Sequence, residues 1–280
     1  MNDNKNFSFE FSAPKTTAGV DQLKRAHGRL SKLAPDFFSV TYGAGGSTKE
    51  GTVQTVLDLN DSGSKVAPHL SFGGSAPEKI VDLLNMYKEN GINRIVALRG
   101  DVPSGMGSLG VLRYANELVE LIRSSTGDHF HIEVAAYPEI HPESPNVESE
   151  LKYFKIKVDA GADSAITQYF YNADAYFHFV DRCSTHGINI PIVPGIMPIV
   201  NYTNLARFSD NCGAEIPQWI RKQMESYHND KKSVQQFGEE VVTRLCEKLL
   251  EGGAPGLHFY TLNQALPSIR IWKNLNLDAK

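Results

Sequence analysis

The sequence contains few cysteines, and those it has are widely separated. Cys183, Cys212 and Cys246 are odd in number and include no CxxC pair. Such a set forms neither a disulfide framework nor a zinc-binding group, and it suits a reducing cytoplasm. We therefore predict that each cysteine is a small core or near-surface residue rather than a catalytic thiol.

The sequence also lacks the signals of membrane proteins, exported proteins and nucleic-acid-binding proteins. No apolar run is long enough to cross a bilayer, and residues 1–6 are polar, unlike a signal peptide. The 28 basic and 32 acidic residues give a net charge of −4, and no basic run is interleaved with aromatic residues. We expect a cytoplasmic protein that binds neither nucleic acid nor an anionic membrane.

What the chain does contain is a regular alternation of short apolar runs and amphipathic stretches. Its 280 residues are 41% hydrophobic and 21% charged, which is sufficient for a sizeable core. Eight apolar runs, each followed by a helical pattern, predict an α/β fold, the (β/α)8 TIM barrel. No low-complexity linker is present, so we expect a single domain over residues 1–280, without an appended regulatory domain. The predicted strands are 7–11, 37–41, 66–70, 95–98, 131–136, 164–168, 190–195 and 257–260.

Helix boundaries are indicated by capping residues and glycines. Residues 75–78 have the form of a capping box, with Pro77 in the first helical turn. Gly91 is a typical stop for the helix that follows. The predicted helices are 19–33, one that ends near 59, one that begins after 75–78, and 112–124, 146–160, 172–186 and 234–250.

The fourth apolar run, residues 95–98, ends in an unusual triplet. Arg99, Gly100 and Asp101 place a cation, a residue without a side chain and a carboxylate at the strand end. A glycine between two charged residues lets a ligand approach the backbone closely. A surface ion pair in a turn would explain this triplet by itself. Because other strands also end in polar residues, we interpret it as part of a site.

Polar residues stand at the carboxyl ends of most of the predicted strands. In a (β/α)8 barrel these ends meet at one rim, where the reactive residues collect. Their number favours a pocket for a large polar ligand over a rim that is merely solvated. They are Glu10, Thr41, His69, Arg99, Asp101, Tyr137, His141, Gln168 and Tyr260.

Local sequence leaves the roles of individual residues open. Glu10 stands between two phenylalanines, where loss of solvation would let it hold a proton near neutral pH and act as an acid. A solvated acid at a strand end fits equally well. His69 could be a ligand or a neutral hydrogen-bonding group. His129 and His131 alternate on one strand without acidic or cysteine partners nearby, so we interpret them as structural.

Segments spread over nearly the entire chain resemble the methylenetetrahydrofolate reductase family, in its bacterial, flavin-containing type. They follow one another in the same order, from the first predicted strand to the last. They are FEF at 9–11, VTYGA at 40–44, APHL at 67–70, IVALRGD at 95–101, AAYPEIHP at 135–142, KVDAGA at 157–162, ITQYF at 166–170 and HFYTLN at 258–263.

The resemblance implies that NADH or NADPH reduces a bound FAD, which then reduces 5,10-methylenetetrahydrofolate to 5-methyltetrahydrofolate in a ping-pong hydride relay. Glu10 would be the general acid that opens the five-membered ring of the folate to an iminium. Asp101 would lie near the pyrimidine edge of the flavin and accept hydrogen bonds from the pterin. Its charge would also disfavour the anionic reduced flavin. Gln168 would bind the pterin and, in turn, the nicotinamide.

The same resemblance assigns the other binding residues and implies a homo-oligomer, but it leaves the choice between NADH and NADPH open. Arg99 and Lys157 would contact the FAD phosphates. The cofactor-binding positions are Thr41, Tyr42, Ala44, His69, Leu98, Arg99, Gly100, Asp101, Tyr114, Ala115, Ala135, Tyr137, His141 and Lys157. The substrate-binding positions are Asp101, Gln168, Asn204, Phe208, Tyr260 and Gln264.

The chain departs from the family pattern at three places. Ser12 and Ala13 replace Phe-Pro, which would loosen the loop that carries Glu10. Gln264 replaces an arginine, which puts a charged contact to the folate tail in doubt. Ile156 stands where an arginine often precedes the lysine, so one phosphate contact is lost or supplied elsewhere.

Two other functions remain open on the sequence. A flavin-free lyase or isomerase could use Lys157 or Glu10, although Lys157 falls on a predicted helix rather than at a strand mouth. A non-catalytic folate- or flavin-binding barrel is compatible with Gln264. Residues 105–110 match GxGxxG, but a dinucleotide-binding loop should begin directly after the strand, which ends at Leu98.

Overall fold

The computed structural model describes residues 5–42, 49–73, 75–100, 114–228 and 230–277. Within these ranges, parallel strands alternate with helices. The strands are β1 Asn6–Ser12, β2 Phe37–Thr41, β3 Val66–Leu70, β4 Arg94–Ala97, β5 His131–Ala136, β6 Ser164–Thr167, β7 Ile192–Val193, β8 Gly195–Ile196 and β9 Gly256–Tyr260.

The helices surround the strands, and none of those in the described ranges is both long enough and apolar enough to span a membrane. A short 3-10 helix, Ser31–Leu33, follows the first of them. The helices are α1 Thr17–Leu30, α2 Lys49–Asp61, α3 Pro77–Glu89, α4 Ala115–Thr126, α5 Val147–Asp159, α6 Ala173–Thr185, α7 Tyr202–Cys212, α8 Gln218–Ser226, α9 Lys231–Glu251 and α10 Ala265–Asn274.

The sheet closes through its seventh strand. The strand order is β7-β6-β5-β4-β3-β2-β1-β9-β8. Only Pro194 separates β7 from β8, so these two segments are halves of one strand interrupted by a residue without a backbone N–H. The first half pairs with β6 and the second half pairs with β9. The predicted eight-fold barrel is therefore confirmed.

Alternation along the strands divides the core into two layers. Phe9 and Phe11 face outward toward the helices, where Phe9 packs 5.4 Å from Phe259 and Phe11 packs 5.4 Å from Phe38, between ring centroids. All four rings are buried, each contributing about 1.5–3 kcal/mol to folding. The barrel interior holds a smaller apolar cluster, made of Phe37, Ala67, Val96 and Ile166.

A polar network lies in the barrel wall near the amino ends of the strands. Arg94 forms an ion pair with Glu133, which also accepts a hydrogen bond of 2.6 Å from Ser164 Oγ. The His131 ring lies 2.6 Å from Ser164 Oγ and 3.4 Å from the Glu133 carboxylate. The structural role predicted for His131 agrees with this network. The prediction overlooked its acidic partner, which stands two residues along the same strand.

The structure corrects several predicted boundaries. Helix α3 begins at Pro77 with Ala76 as its N-cap and no capping side-chain hydrogen bond, so the expected capping box does not form. The stop at Gly91 is present, with φ of 73° just after the helix. Three helices were not predicted: α7, α8 and α10. Their buried faces are narrow, because α7 and α8 bury two side chains each and α10 buries four.

Candidate active site

Glu10 lies between two histidines at the carboxyl end of β1. Its Oε2 atom is 3.4 Å from His69 Nε2 on β3 and 3.7 Å from His258 Nε2 on β9. The side chains of Glu10, His69 and His258 are 16%, 9% and 0% exposed. The structure thus brings a mostly buried carboxyl group and two imidazoles together inside the barrel mouth.

The surroundings of Glu10 differ from the sequence-based expectation. Phe9 and Phe11 belong to the outer layer, because successive side chains on a strand point to opposite faces. Glu10 therefore points into the barrel, away from the two phenylalanine rings. Its polar neighbours are histidines, and the expectation of an aromatic setting was wrong.

Burial governs the state of His69. It lowers the pKa of His69 to about 4. The negative charge of Glu10 opposes this lowering, and the electrostatic interaction with the nearby His258 ring adds to it. The ring is therefore neutral at physiological pH. Its Nε2 atom makes no hydrogen bond within the described part of the chain, and neither does the buried Thr41 Oγ1. Buried polar atoms without partners are expected to meet a ligand or water.

The chain around Glu10 is held firmly. Thr261 Oγ1 donates a hydrogen bond of 2.5 Å to the Glu10 carbonyl. The Asn263 side chain accepts a hydrogen bond of 2.9 Å from the backbone N–H of Ser12 and donates one of 2.8 Å to the Ser12 carbonyl. These hydrogen bonds join the end of β1, where Ser12 and Ala13 depart from the family pattern, to the turn that follows β9.

Gln168 and α7 lie next to each other at the end of β6. The Gln168 Oε1 atom accepts a hydrogen bond of 3.0 Å from the backbone N–H of Tyr169. Tyr169 in turn contacts α7, with its hydroxyl 3.0 Å from Ser209 Oγ. Asn204 and Phe208 are one turn apart on this helix, so they share a face. Asn204 is exposed and Phe208 is half-buried.

The two predicted phosphate-binding cations have protein partners in the structure. Arg99 donates two hydrogen bonds to the Glu143 carboxylate, of 2.5 and 2.8 Å. The Lys157 amine donates one of 2.5 Å to the Ala135 carbonyl and lies 5.4 Å from the centre of the Phe154 ring. Burial lowers the pKa of Lys157 to about 8, although the Glu150 charge opposes this. The helical lysine thus reaches back to the end of β5.

Other predicted cofactor positions occupy the same rim. Tyr137 packs edge-on against His141, with ring centroids 4.6 Å apart. Gly100 has φ of 79°, and a Cβ there would be 2.6 Å from Ser71 Oγ, so this position requires glycine. Leu98 packs against the interior apolar cluster. Tyr42 is half-buried, and burial raises its pKa to about 12.

The remaining predicted residues are more peripheral, or cannot be placed. Tyr114 is 58% exposed at the N-cap of α4, directly before Ala115. Gln264 is exposed at the N-cap of α10. Ala44 and Asp101 lie outside the described residues.

Tyr260 is positioned by β6 and β8. Its hydroxyl donates a hydrogen bond of 2.7 Å to the Thr167 carbonyl, while Thr167 Oγ1 accepts one of 2.9 Å from the Gly195 N–H. Burial raises the pKa of Tyr260 well above its ordinary value, so the phenol stays protonated. Tyr260 is the pairing partner of Glu10 on the neighbouring strand, so both side chains point into the barrel.

Sequence reasoning missed two residues of this cluster, His258 and Ser8. The His258 Nδ1 atom is 2.7 Å from Ser8 Oγ. Their signal was alternation, because His258 stands two residues before Tyr260, and Ser8 two residues before Glu10. Within the described ranges, no group of three or more His, Cys, Asp or Glu side chains is arranged to hold a metal ion.

Comparisons with known proteins agree with one another. The family model for methylenetetrahydrofolate reductase matches residues 1–276. The chain is 38% identical over 273 residues to the 5,10-methylenetetrahydrofolate reductase of Escherichia coli K12, covering 97% of this chain and 91% of that one. It is 40% identical over 285 residues to methylenetetrahydrofolate reductase (NADH) 1 of Arabidopsis thaliana, covering 97% of this chain and 48% of the plant protein.

A solved structure supports the fold independently. A Clostridium thermocellum protein that binds two copies of 5-methyl-5,6,7,8-tetrahydrofolic acid superposes with a TM-score of 0.70. It covers 99% of this chain and 96% of its own, at 16% identity. At that identity the similarity supports the barrel architecture alone.

Proposed function

The chain belongs to the methylenetetrahydrofolate reductase family, and we propose that it reduces 5,10-methylenetetrahydrofolate to 5-methyltetrahydrofolate. The electrons come from NADH or NADPH through a bound FAD. The observation that carries this proposal is the Glu10 carboxyl group, mostly buried beside His69 and His258 at the barrel mouth. A positioned acid at this end of a barrel strand is what ring opening of the folate requires.

The residues at the rim fit an FAD molecule. Thr41 Oγ1 and His69 Nε2 are buried polar atoms without hydrogen bonds in the described part of the chain, so a ligand rich in polar atoms would satisfy them. Arg99 and Lys157 supply cations for a diphosphate. When bound, FAD supplies hydride transfer between the dinucleotide and the folate.

Glu10 provides the proton for the folate half of the reaction. Its carboxylic acid donates a proton to a ring nitrogen of the five-membered ring, and the bond between that nitrogen and the methylene carbon breaks. The electron pair of the remaining nitrogen forms an iminium, and Glu10 becomes a carboxylate. General acids of this kind contribute about 10²–10⁴ in rate.

The folate would be bound by residues from three parts of the barrel rim: the end of β6, helix α7 and the end of β9. Gln168 has both a donor and an acceptor for the pterin. Phe208 and Asn204 offer an aromatic surface and an amide from α7, and Tyr260 closes the opposite side. Gln264 contributes an uncharged side chain near the folate tail. By family resemblance, Asp101 and Ala44 complete the pterin and flavin contacts.

We also propose that the protein is a homo-oligomer of single-domain subunits and that its ligands are small molecules.

The reductase activity is tested by anaerobic absorbance spectroscopy of protein reconstituted with FAD. We expect NADH or NADPH to bleach the flavin band, and methylenetetrahydrofolate to restore it.

Menadione, a general electron acceptor, serves as the control. Recovery with menadione but not with the folate would indicate a flavoenzyme with another substrate. A protein that does not bind FAD at all would refute the proposal.

A further inference from the structure

His258 is fully buried, yet within the ranges that the structure describes only one of its two ring nitrogens has a hydrogen bond. Its Nδ1 atom lies 2.7 Å from Ser8 Oγ. Its Nε2 atom has no hydrogen bond in the described part of the chain and lies 3.7 Å from Glu10 Oε2. The unsatisfied nitrogen is therefore directed at the proposed acid.

The barrel wall fixes the ring in this orientation. Ser8 and His258 are direct partners in the parallel pairing of β1 with β9, and Glu10 and Tyr260 are partners two residues further along. The imidazole stacks on Phe37 at 6.1 Å and 25°, and it meets Tyr260 edge-on at 5.4 Å. Because rings cover it on two sides and Ser8 anchors one end, its free nitrogen stays pointed at Glu10.

The Ser8–His258 pair can serve either protonation state of Glu10. A neutral imidazole has one donor and one acceptor nitrogen, and the hydrogen bond at one nitrogen selects the role of the other. A serine hydroxyl can donate or accept. With Ser8 donating to Nδ1, Nε2–H faces a carboxylate; with Ser8 accepting, Nε2 faces a carboxylic acid.

We propose that His258, anchored by Ser8, is the positioning residue for Glu10, holding Oε2 inside the barrel so that the other carboxyl oxygen meets the folate. This inference rests on the proposed function. His258 lies beside Glu10 and two residues deeper in the barrel than Tyr260, so its role is to act through the acid. His69 flanks the carboxyl from β3 and does not replace the link to Ser8.

The first test needs neither FAD nor folate. Protein labelled with ¹⁵N-histidine is titrated by NMR, and the His258 signals are assigned by their loss in His258→Gln. We expect the pH dependence of the His258 nitrogen shifts to differ between wild type and Glu10→Gln, because Nε2 faces a carboxyl group in one protein and an amide in the other. Identical titration of His258 in wild type and in Glu10→Gln would overturn the proposal.

The second test separates the two half-reactions. In His258→Gln we expect flavin reduction by NADH or NADPH to stay within about two-fold, and folate-dependent flavin reoxidation to slow about ten-fold, part of the about 10²–10⁴ that a general acid supplies. The pH profile of the folate step shifts as well. Ser8→Ala has a smaller effect in the same direction, and Ser8→Thr, which keeps the hydroxyl, restores the rate.

Ser268→Ala is the matched control, because Ser268 is a fully buried serine on α10, outside the site. A parallel loss of both half-reactions, or an unmoved pH profile, would make His258 a core residue only and contradict the proposal. If wild type fails to reoxidise with the folate, the proposed function falls, and the NMR titration alone decides the role of His258.

Discussion

Gly195 lies so close to Tyr260 that a Cβ at this position would stand 2.6 Å from Tyr260 Cε2. The same atom would be 2.2 Å from the Thr167 carbonyl oxygen. Thr167 accepts hydrogen bonds from both residues, through its hydroxyl and its carbonyl. The position of Tyr260, in the proposed folate pocket, and the pairing of the closing strand therefore require a glycine at position 195.

Replacing this glycine should damage both stability and the pocket. We expect Gly195→Ala to lower the free energy of unfolding by about 1–3 kcal/mol, the usual cost of overpacking, because backbone and a buried ring must move. Denaturant unfolding measures this. Gly28→Ala on α1 is the control, since nothing lies within 4 Å of its added Cβ. It should stabilise the protein by about 0.5–1 kcal/mol. Equal stability of Gly195→Ala and wild type would contradict the packing described.

The Glu133 network should make stability depend on acid pH. Burial alone would raise the pKa of Glu133, but the hydrogen bond from His131 and the charge of Arg94 hold it below its ordinary value of 4.5. A carboxylate with a lowered pKa stabilises the fold above its ordinary value, and that stability is lost as the pH falls through the folded value. We expect the free energy of unfolding of wild type to fall below pH 4.5 more steeply than that of Glu133→Gln.

At neutral pH the same substitution leaves Arg94 without its charge partner. Breaking a buried ion pair costs about 3–5 kcal/mol, and since Arg94 keeps some exposure, we expect about 2–3 kcal/mol for Glu133→Gln. Glu148→Gln removes an exposed partner of Arg182 and should change stability by less than about 1 kcal/mol. Similar unfolding midpoints for the two variants would show that the Glu133 network adds no stability.

Lys157 should make FAD binding depend on pH near neutrality. Because burial lowers the pKa of its amine to about 8, the charge available to a phosphate disappears as the pH rises through that value. We expect FAD affinity, measured by flavin fluorescence on either side of that pH, to fall with rising pH. Lys157→Met should bind FAD about ten-fold more weakly and lose this dependence, since a hydrogen bond to a charged group contributes about 1.5–3 kcal/mol.

Lys155→Met is the control for this experiment. Lys155 lies two residues earlier on α5 and pairs with Asp159 at the surface. Its removal should leave FAD affinity unchanged. An unaltered pH profile in Lys157→Met would exclude the lysine from FAD binding.

The Arg99–Glu143 pair should compete with an anionic ligand. Its paired hydrogen bonds use the guanidinium edge that a phosphate would occupy, and they lower the pKa of Glu143 below its ordinary value. We expect Glu143→Gln to strengthen FAD binding by about three-fold at low salt, the scale of an exposed ion pair, with a smaller gain at high salt. Weaker FAD binding in this variant would mean that Glu143 supports the site rather than competing for Arg99.

Patterns of residues along the chain predicted the fold well where a strand leaves a simple signature. The runs at 37–41, 66–70 and 131–136 match β2, β3 and β5 residue for residue. The split seventh strand was harder, because Pro194 interrupts its pairing without ending the strand. Helices α7, α8 and α10 were missed because each is short and buries few side chains, so its apolar periodicity is weak in the sequence. Tertiary packing, rather than the local pattern, stabilises such helices.

The site was predictable in its residues but not in its contacts. Glu10, His69 and Tyr260 were found because polar residues at strand ends stand out against apolar interiors. The two phenylalanines beside Glu10 in the sequence led to a wrong prediction of its environment, because adjacent residues on a strand face opposite sides of the sheet. His258 was missed because it lies two residues before the strand end, below the rim where polar residues were sought. Its role depends on its pairing with Ser8 of β1, which the sequence does not reveal.

The most direct test of the proposed mechanism is anaerobic stopped-flow kinetics of Glu10→Gln, with the two half-reactions measured separately. We expect NADH or NADPH still to bleach the flavin at close to the wild-type rate. Methylenetetrahydrofolate should restore the flavin band at least about 10²-fold more slowly, because the ring-opening proton is missing. Reoxidation of Glu10→Gln by the folate at the wild-type rate would contradict the role of Glu10 and with it the proposed mechanism.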